Sequence, residues 1–199
     1  MTCTKCPSLC ASRTQIVEPD FPEFGRPCRV LVVGEAPGAD EDTQGKGFVG
    51  RAGRTLHALL EAHGLCRGYD YGCANIVRCR PPDNRRPTMQ EIVHCLPLLA
   101  KTIDRAQPHA VITVGETATR AITGIVGLWV NIKALREHDY DPRKAEMIYP
   151  PEIKPVWPHR TLLVPMPHTS PLAWNRNATD GRKWSEIGRE QISRMVQIL

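Results

Sequence analysis

Short apolar runs rich in β-branched residues interrupt an otherwise polar chain. Arg29-Val-Leu-Val-Val ends at Gly34, and Ala110-Val-Ile-Thr-Val ends at Gly115. Both are too short for a helix and lack the polar alternation of a half-exposed strand, so they predict strands buried on both faces of a parallel sheet. Residues 72–78 and 161–166 give two more runs of this kind. Helical spacing fills the intervals. Leu56, Leu59 and Leu60 recur within 54–64, which Gly64 stops. A helix starts at about Thr88, where Glu91 completes a capping box. Another lies near 117–122, and a last one over 182–199 carries Trp184, Ile187, Ile192, Met195 and Ile198 on one periodic set. Strands alternating with helices predict an α/β protein, a three-layer α/β/α sandwich around a central four-stranded, mainly parallel sheet. Ligands on such sheets bind at the carboxyl ends of the strands.

Three stretches escape this rhythm. Residues 1–28 hold clustered cysteines with Pro19, Pro22 and Pro27 and predict an irregular arm that something other than a core must fasten. Residues 34–53 are glycine-rich and predict a long loop. Residues 127–159, rich in proline and charge, predict an insertion of short strands or turns. At 199 residues, with 41% hydrophobic and 24% charged residues, the chain fits one domain over 1–199 and excludes disordered and collagen-like classes. No apolar run nears the roughly 18–20 residues that span a bilayer, and the N-terminal residues lack an apolar signal core. The expectation is therefore no membrane and a cytoplasmic location. Eight cysteines in that setting predict reduced thiols, some of them metal ligands. The net charge of +5 permits an anionic partner without establishing one.

The predicted strand ends carry Gly34-Glu-Ala-Pro-Gly, Asn75, Gly115-Glu116 and His168-Thr-Ser-Pro. A carboxylate, a carboxamide, an imidazole and a hydroxyl thus share one rim. Taken singly, each has a bland reading: Glu35 and Asn75 as turn caps, His168 as a structural histidine, Phe48 as core. Taken together they carry a resemblance. Gly34-Glu-Ala-Pro-Gly, Glu41-Asp42 with Gly45, Phe48-Val-Gly-Arg-Ala-Gly53 and the run from Asn75 through Arg80 to Pro87 resemble the family 4 uracil-DNA glycosylases, iron–sulfur DNA repair enzymes. The likeness runs from about Cys3 to Gly115 and resumes from Leu162 to about Arg176.

The resemblance implies a monofunctional glycosylase that flips deoxyuridine and hydrolyses its N-glycosidic bond, acting on single- or double-stranded uracil-containing DNA as a nucleoid-associated monomer. It implies a [4Fe–4S] cluster on Cys3, Cys6, Cys79 and Cys95, with a structural zinc on the same thiolates as the alternative and Cys10 able to replace Cys3 or Cys6. Cys28, Cys66 and Cys73 remain as buried or semi-buried thiols. Phe48 would stack on the base, Asn75 would read it, and the backbone at Gly34, Ala36 and Gly38 would contact base or phosphate. His168 would face O2, and Glu35 would orient water or exclude the thymine methyl. For DNA, Ser170 would bond a phosphate, and Leu172 and Trp174 would supply a wedge. Arg51, Arg54, Arg78, Arg80, Arg85 and Arg86 lie in or beside the motif loops and Arg176 follows the wedge; a charge run is usually a solvated face, but this one converges on the rim where a phosphate backbone would lie. The chain departs from the family at His168-Thr169-Ser170, where the family has His-Pro-Ser, and at 127–159. The departure at 168–176 keeps open action on another deaminated or modified base; a uracil-DNA binding or crosslinking protein is the second alternative, though no basic, histidine-bearing insertion separates Arg80 from Thr88.

Overall fold

Burial on both faces explains why the four apolar runs show no alternation. Strands β1 (Val30–Gly34), β2 (Tyr71–Asn75), β3 (Ala110–Val114) and β4 (Leu162–Met166) are buried at every position. They form an all-parallel sheet in the order β2-β1-β3-β4. The computed structural model describes residues 3–23, 25–147 and 150–199. Around the sheet lie α1 (Pro7–Ser12), α2 (Ala39–Gln44), α3 (Arg51–Glu61), α4 (Met89–Ala106), α5 (Glu116–Thr123), α6 (Leu128–Glu137), α7 (Pro171–Trp174) and α8 (Trp184–Ile198). The chain steps from β1 outward to β2 and then returns past β1 to β3. With right-handed crossovers, the α3 connection and the α4 connection fall on opposite faces of the sheet, as in the predicted three-layer sandwich. The register sets Gly34 level with Asn75 and Val114 level with Met166, so the strand tips end in one row.

The capping box that predicts α4 forms as expected. The Glu91 N–H donates to Thr88 Oγ1 at 3.2 Å, and the Thr88 N–H donates to Glu91 Oε2 at 2.8 Å. Other expectations need correction. The run 72–78 pairs as a strand only to Asn75, after which Ile76 and Val77 donate to the carbonyls of Gly34 and Glu35 and turn the chain away. The loop over 34–53 contains α2, whose start is capped by Glu41 rather than by a Ser, Thr, Asp or Asn. Residues 127–159 hold no strand among those described. They begin with α6, which buries Asn131, Ile132 and Leu135 and packs against β4 and α5; the polar, proline-rich residues after it obscure its short period. Residues 148 and 149 lie outside the described residues.

The arm is less irregular and better fastened than its composition suggests; Met1, Thr2 and Phe24 lie outside the described residues. Pro7 opens α1, whose Leu9 is buried, and Val17 is buried as well. Asp20 forms an antiparallel bridge with Cys73 along the open edge of β2. Asp42 is 2% exposed and accepts the Thr14 N–H at 2.8 Å and the Gln15 N–H at 3.3 Å, while the Gln15 side chain donates back to the carbonyls of Asp42 and Thr43. Apolar burial and a buried carboxylate thus help to fasten the arm. Asp42→Ala leaves those amides to water and is expected to cost about 1–2 kcal/mol, roughly 2–8 °C in Tm for a chain of this length. Thermal unfolding and limited proteolysis of the arm check this; an unchanged Tm with a protected arm would contradict it.

Candidate active site

The strand order reverses between β1 and β3, and open α/β sheets bind ligands outside the carboxyl ends at such a point. A cavity of about 330 Å³ lies there, lined by Glu35, Asn75, Phe48 and His168 together with the backbone from Gly34 to Gly38. β2 contributes Asn75, β1 leads into Glu35, β3 gives Val114 and β4 leads into His168. The third tip contributes little polar chemistry: Glu116 turns away and accepts the Gly127 N–H at 3.2 Å. The size, near the lower end of the roughly 300–1,000 Å³ typical of small-molecule sites, suits one base and part of its sugar.

Close backbone approach sets the walls. A Cβ on Gly34 would lie 2.5 Å from Asn75 Oδ1 and 2.6 Å from Phe48 Cζ, so only glycine lets both side chains reach the cavity. A Cβ on Gly53 would meet the Phe48 carbonyl at 2.0 Å. Phe48 itself has φ of 57°, a left-handed conformation that a phenylalanine keeps only when its surroundings dictate it. Glu41 joins the two loops on either side. Its carboxylate accepts the Gly38 N–H at 3.1 Å, the Val49 N–H at 2.9 Å and the Gly50 N–H at 2.8 Å. Beyond its place in the motif, Glu41 stands three residues after Gly38 at the start of a helix, the spacing that signals its capping role in the sequence.

The imidazole of His168 has a defined hydrogen-bonding direction. The Ser170 N–H donates to its Nδ1 at 3.1 Å, which makes Nδ1 the acceptor and places the ring proton on Nε2. Although one edge meets solvent, desolvation at the concave rim lowers the pKa from the ordinary histidine value; Glu35 opposes this and Arg86 adds to it. His168 is therefore a neutral N–H donor near neutral pH. Thr169, where the family has proline, is buried, and its hydroxyl donates to the Ala52 carbonyl at 2.7 Å, tying the His168 segment to α3.

The DNA-facing predictions divide. Leu172 is 71% exposed at the tip of α7, and Arg176, Arg51, Arg54 and Arg86 are exposed. Trp174, expected in the wedge, is corrected: it is 8% exposed and packs against Gly188 of α8, where a Cβ would lie 2.5 Å from Cη2. Its ring belongs to the core beneath the wedge. Arg78 is also spoken for, ion-paired with Glu18 and donating to Leu98 O and Thr102 Oγ1. Arg85 lines the cavity but forks onto Glu91 at 2.9 and 2.7 Å, a hydrogen bond that does most to hold the Glu91 carboxyl down to about 2. Arg80 lies outside the cavity lining and donates to Asn84 Oδ1 at 2.8 Å. Ser170 caps α7 through its backbone, and among the described residues its hydroxyl has no protein partner.

The four predicted ligand cysteines come within one another's electrostatic influence, Cys3 and Cys6 from the arm, Cys79 from the loop after β2 and Cys95 from α4. Arg13 donates to Cys79 Sγ at 2.9 Å, and His94 Nδ1 lies 3.3 Å from Cys6 Sγ. Among the described residues no group of three side chains stands preformed around a metal position. The donor chemistry nevertheless fits an iron–sulfur cluster, with four soft sulfurs, one of which accepts an N–H from Arg13. Cys10 donates to the Cys3 carbonyl at 3.4 Å. Cys28 and Cys73 are buried as expected, whereas Cys66 is exposed on the turn before β2.

Comparison with known proteins gives the fold and site a lineage. A profile described as Uracil DNA glycosylase superfamily matches residues 21–189. A Type-4 uracil-DNA glycosylase of Pyrobaculum aerophilum is 38% identical over 125 residues, covering 63% of this chain and 61% of that protein. One from Thermotoga maritima is 42% identical over 116 residues, 58% of each chain. A Type-5 uracil-DNA glycosylase of Pyrobaculum aerophilum is 32% identical over 154 residues, 64% of this chain and 67% of that protein. The chain spans about three fifths of the length of the two type-4 relatives it matches here. With most of its length matched by the profile and the sheet and strand-end motifs in place, this chain belongs to the uracil DNA glycosylase superfamily.

Proposed function

We propose that the protein excises uracil from DNA, hydrolysing the N-glycosidic bond of an everted deoxyuridine to leave free uracil and an abasic site. One observation carries this reading: Glu35, Asn75 and His168 open on a single cavity of about 330 Å³ with Phe48 on its wall. A base in the duplex cannot be reached there, so the nucleotide is extruded at a cost of a few kcal/mol. Leu172 at the exposed tip of α7 suits a residue entering the vacated stack. Phe48 offers a flat face to the base. The Asn75 amide donates to O4 and accepts from N3–H, whereas cytosine presents the opposite pattern.

Cleavage moves the bonding electrons onto the base and leaves an oxocarbenium-like sugar. The neutral Nε2–H of His168 donates to O2 as that charge grows, and the Glu35 carboxylate orients the water that attacks C1′. No lysine is assigned a Schiff-base role, so the strand stays intact. The same arrangement predicts a severe effect from a single methyl: in Gly34→Ala the new Cβ presses on Asn75 and Phe48 together, and excision should fall about a hundredfold. A variant excising at the wild-type rate would contradict the slot geometry.

Cys3, Cys6, Cys79 and Cys95 would hold a [4Fe–4S] cluster, which would clamp the arm and the 79–95 segment together and take no part in bond cleavage. We read the chain as one domain acting as a monomer on single- or double-stranded uracil-containing DNA, in the cytoplasm with the nucleoid. No described helix is long and apolar enough to cross a membrane. The test is incubation with a uracil-containing oligonucleotide, chromatography of the released base and alkaline cleavage of the product strand. Free uracil with an alkali-labile strand is expected; no release, or a protein–DNA adduct persisting on a denaturing gel, overturns the proposal.

A further inference from the structure

Arg67 stands outside every motif of the site, on the turn before β2, yet it reaches the loop that carries Phe48. Its side chain is 17% exposed. Nη2 donates to the Gly47 carbonyl at 2.6 Å, and Nη1 lies 3.5 Å from the Phe48 carbonyl and 2.9 Å from His57 Nε2. His57 Nε2 is in turn 2.9 Å from the Phe48 carbonyl, and its Nδ1 is 2.7 Å from the Tyr71 hydroxyl. Whichever nitrogen carries the proton, the Phe48 carbonyl has a donor, from Arg67 or from the neutral imidazole. On the other side, Arg67 Nε donates to Asp20 Oδ2 at 3.2 Å and Nη2 donates to the same oxygen. Asp20 is itself immobilised, because its Oδ1 accepts the Cys73 N–H at 2.7 Å and its backbone bridges Cys73 on the edge of β2.

A continuous path of directional bonds therefore runs from the sheet edge through Asp20 and Arg67 to two successive carbonyls of the Phe48 loop. That loop needs such support. Phe48 keeps a left-handed φ of 57°, and Gly47 sits where a Cβ would lie 3.7 Å from Asn75 Nδ2. A small rotation there would swing the phenyl ring either into the base position or away from it. A guanidinium, planar and fork-shaped, spreads five N–H donors in fixed directions over two carbonyls and a carboxylate, whereas an ammonium offers three from a single rotatable point.

We propose that Arg67, oriented by Asp20, is a positioning residue that fixes the Phe48 ring against Asn75 and so sets the width of the base slot. The inference rests on the reading that this slot receives uracil. It acts through Phe48, so its effect disappears when the ring is removed.

The test pairs a kinetic cycle with a probe of the ring that needs no activity. Single-turnover excision is measured for wild type, Arg67→Lys, Phe48→Ala and the double variant. Arg67→Lys should lose about tenfold alone and less than about twofold in the Phe48→Ala background. Protein labelled with fluorophenylalanine carries only three such residues, and the Phe48 fluorine signal is identified by its loss in Phe48→Leu. That signal should shift or broaden in Arg67→Lys and, in the same direction, in Asp20→Asn. Additive losses with an unmoved Phe48 signal would overturn the proposal. Should the wild type excise no uracil while the signal still moves, the clamp stands and the assigned reaction falls; with the signal unmoved, both fall.

Discussion

Replacing Asn75 with Ala should lower uracil excision about a thousandfold. The amide supplies one donor and one acceptor to the base, and two such bonds at roughly 2 kcal/mol each correspond to about three decades in rate. The side chain is well placed to have this effect: it is 8% exposed, its oxygen lies beside Gly34 and its nitrogen beside Gly47, so the amide faces the slot between two positions that lack a Cβ. Asn75→Asp goes further than a loss. A carboxyl accepts from the cytosine N4 amine and, when protonated in the confined slot, donates to N3, so this variant should release cytosine while losing most uracil excision. Parallel assays on uracil- and cytosine-containing oligonucleotides check both outcomes. An Asp variant that keeps wild-type uracil excision and ignores cytosine would show that Asn75 does not read the base.

His168→Ala should cost about 10²–10³ in the single-turnover rate, the usual effect of deleting one donor aimed at a developing oxyanion. The pH profile distinguishes this role from a structural one. Because desolvation lowers the His168 pKa, the neutral donor persists to lower pH than an ordinary histidine would allow. Excision should therefore hold to lower pH than an ordinary histidine would permit and drop as pH passes the lowered value, where a proton on Nδ1 displaces the Ser170 N–H. The sign for stability is the same: below the unfolded pKa the unfolded chain binds more protons at this site than the folded one, so stability too is lost as pH falls through the lowered value. The Ala variant should lose this acid limb. A rate that rises on acidification would require the imidazolium to be the working form and would contradict the assignment.

Strands β1 and β3 were legible because burial on both faces leaves a short run rich in β-branched residues, whereas β2 and β4, whose only β-branched residue is Val164, were legible from their place in the alternation of strands and helices. The start of α4 was legible because its cap is local, Thr88 to Glu91. The central site residues were legible for a related reason: parallel strands deliver their next residues to one rim, so Glu35, Asn75 and His168 could be grouped without knowing a single contact. What the sequence concealed depends on distant partners. Trp174 follows an exposed Leu172 and gives no sign of facing inward until Gly188, on another helix, opens a place for its ring. Arg78 and Arg85 read as DNA-facing until Glu18 and Glu91 take up their charges. Helix α2 begins at a glycine whose capping carboxylate lies three residues on, and α6 is ten residues long before a proline-rich stretch. Arg67 belongs to the same class, since its partners at residues 20, 47, 48 and 57 share no motif with it.

The most direct test of the account is a crystal structure of the protein with an oligonucleotide carrying 2′-fluoro-2′-deoxyuridine, whose fluorine disfavours the oxocarbenium-like state and keeps the base attached. The account predicts the uracil everted into the cavity beside Phe48, with O4 and N3 on the Asn75 amide, O2 at His168 Nε2, and Leu172 at the gap left in the strand. A uracil left stacked in the DNA, or bound with Asn75 and His168 out of reach, would contradict it.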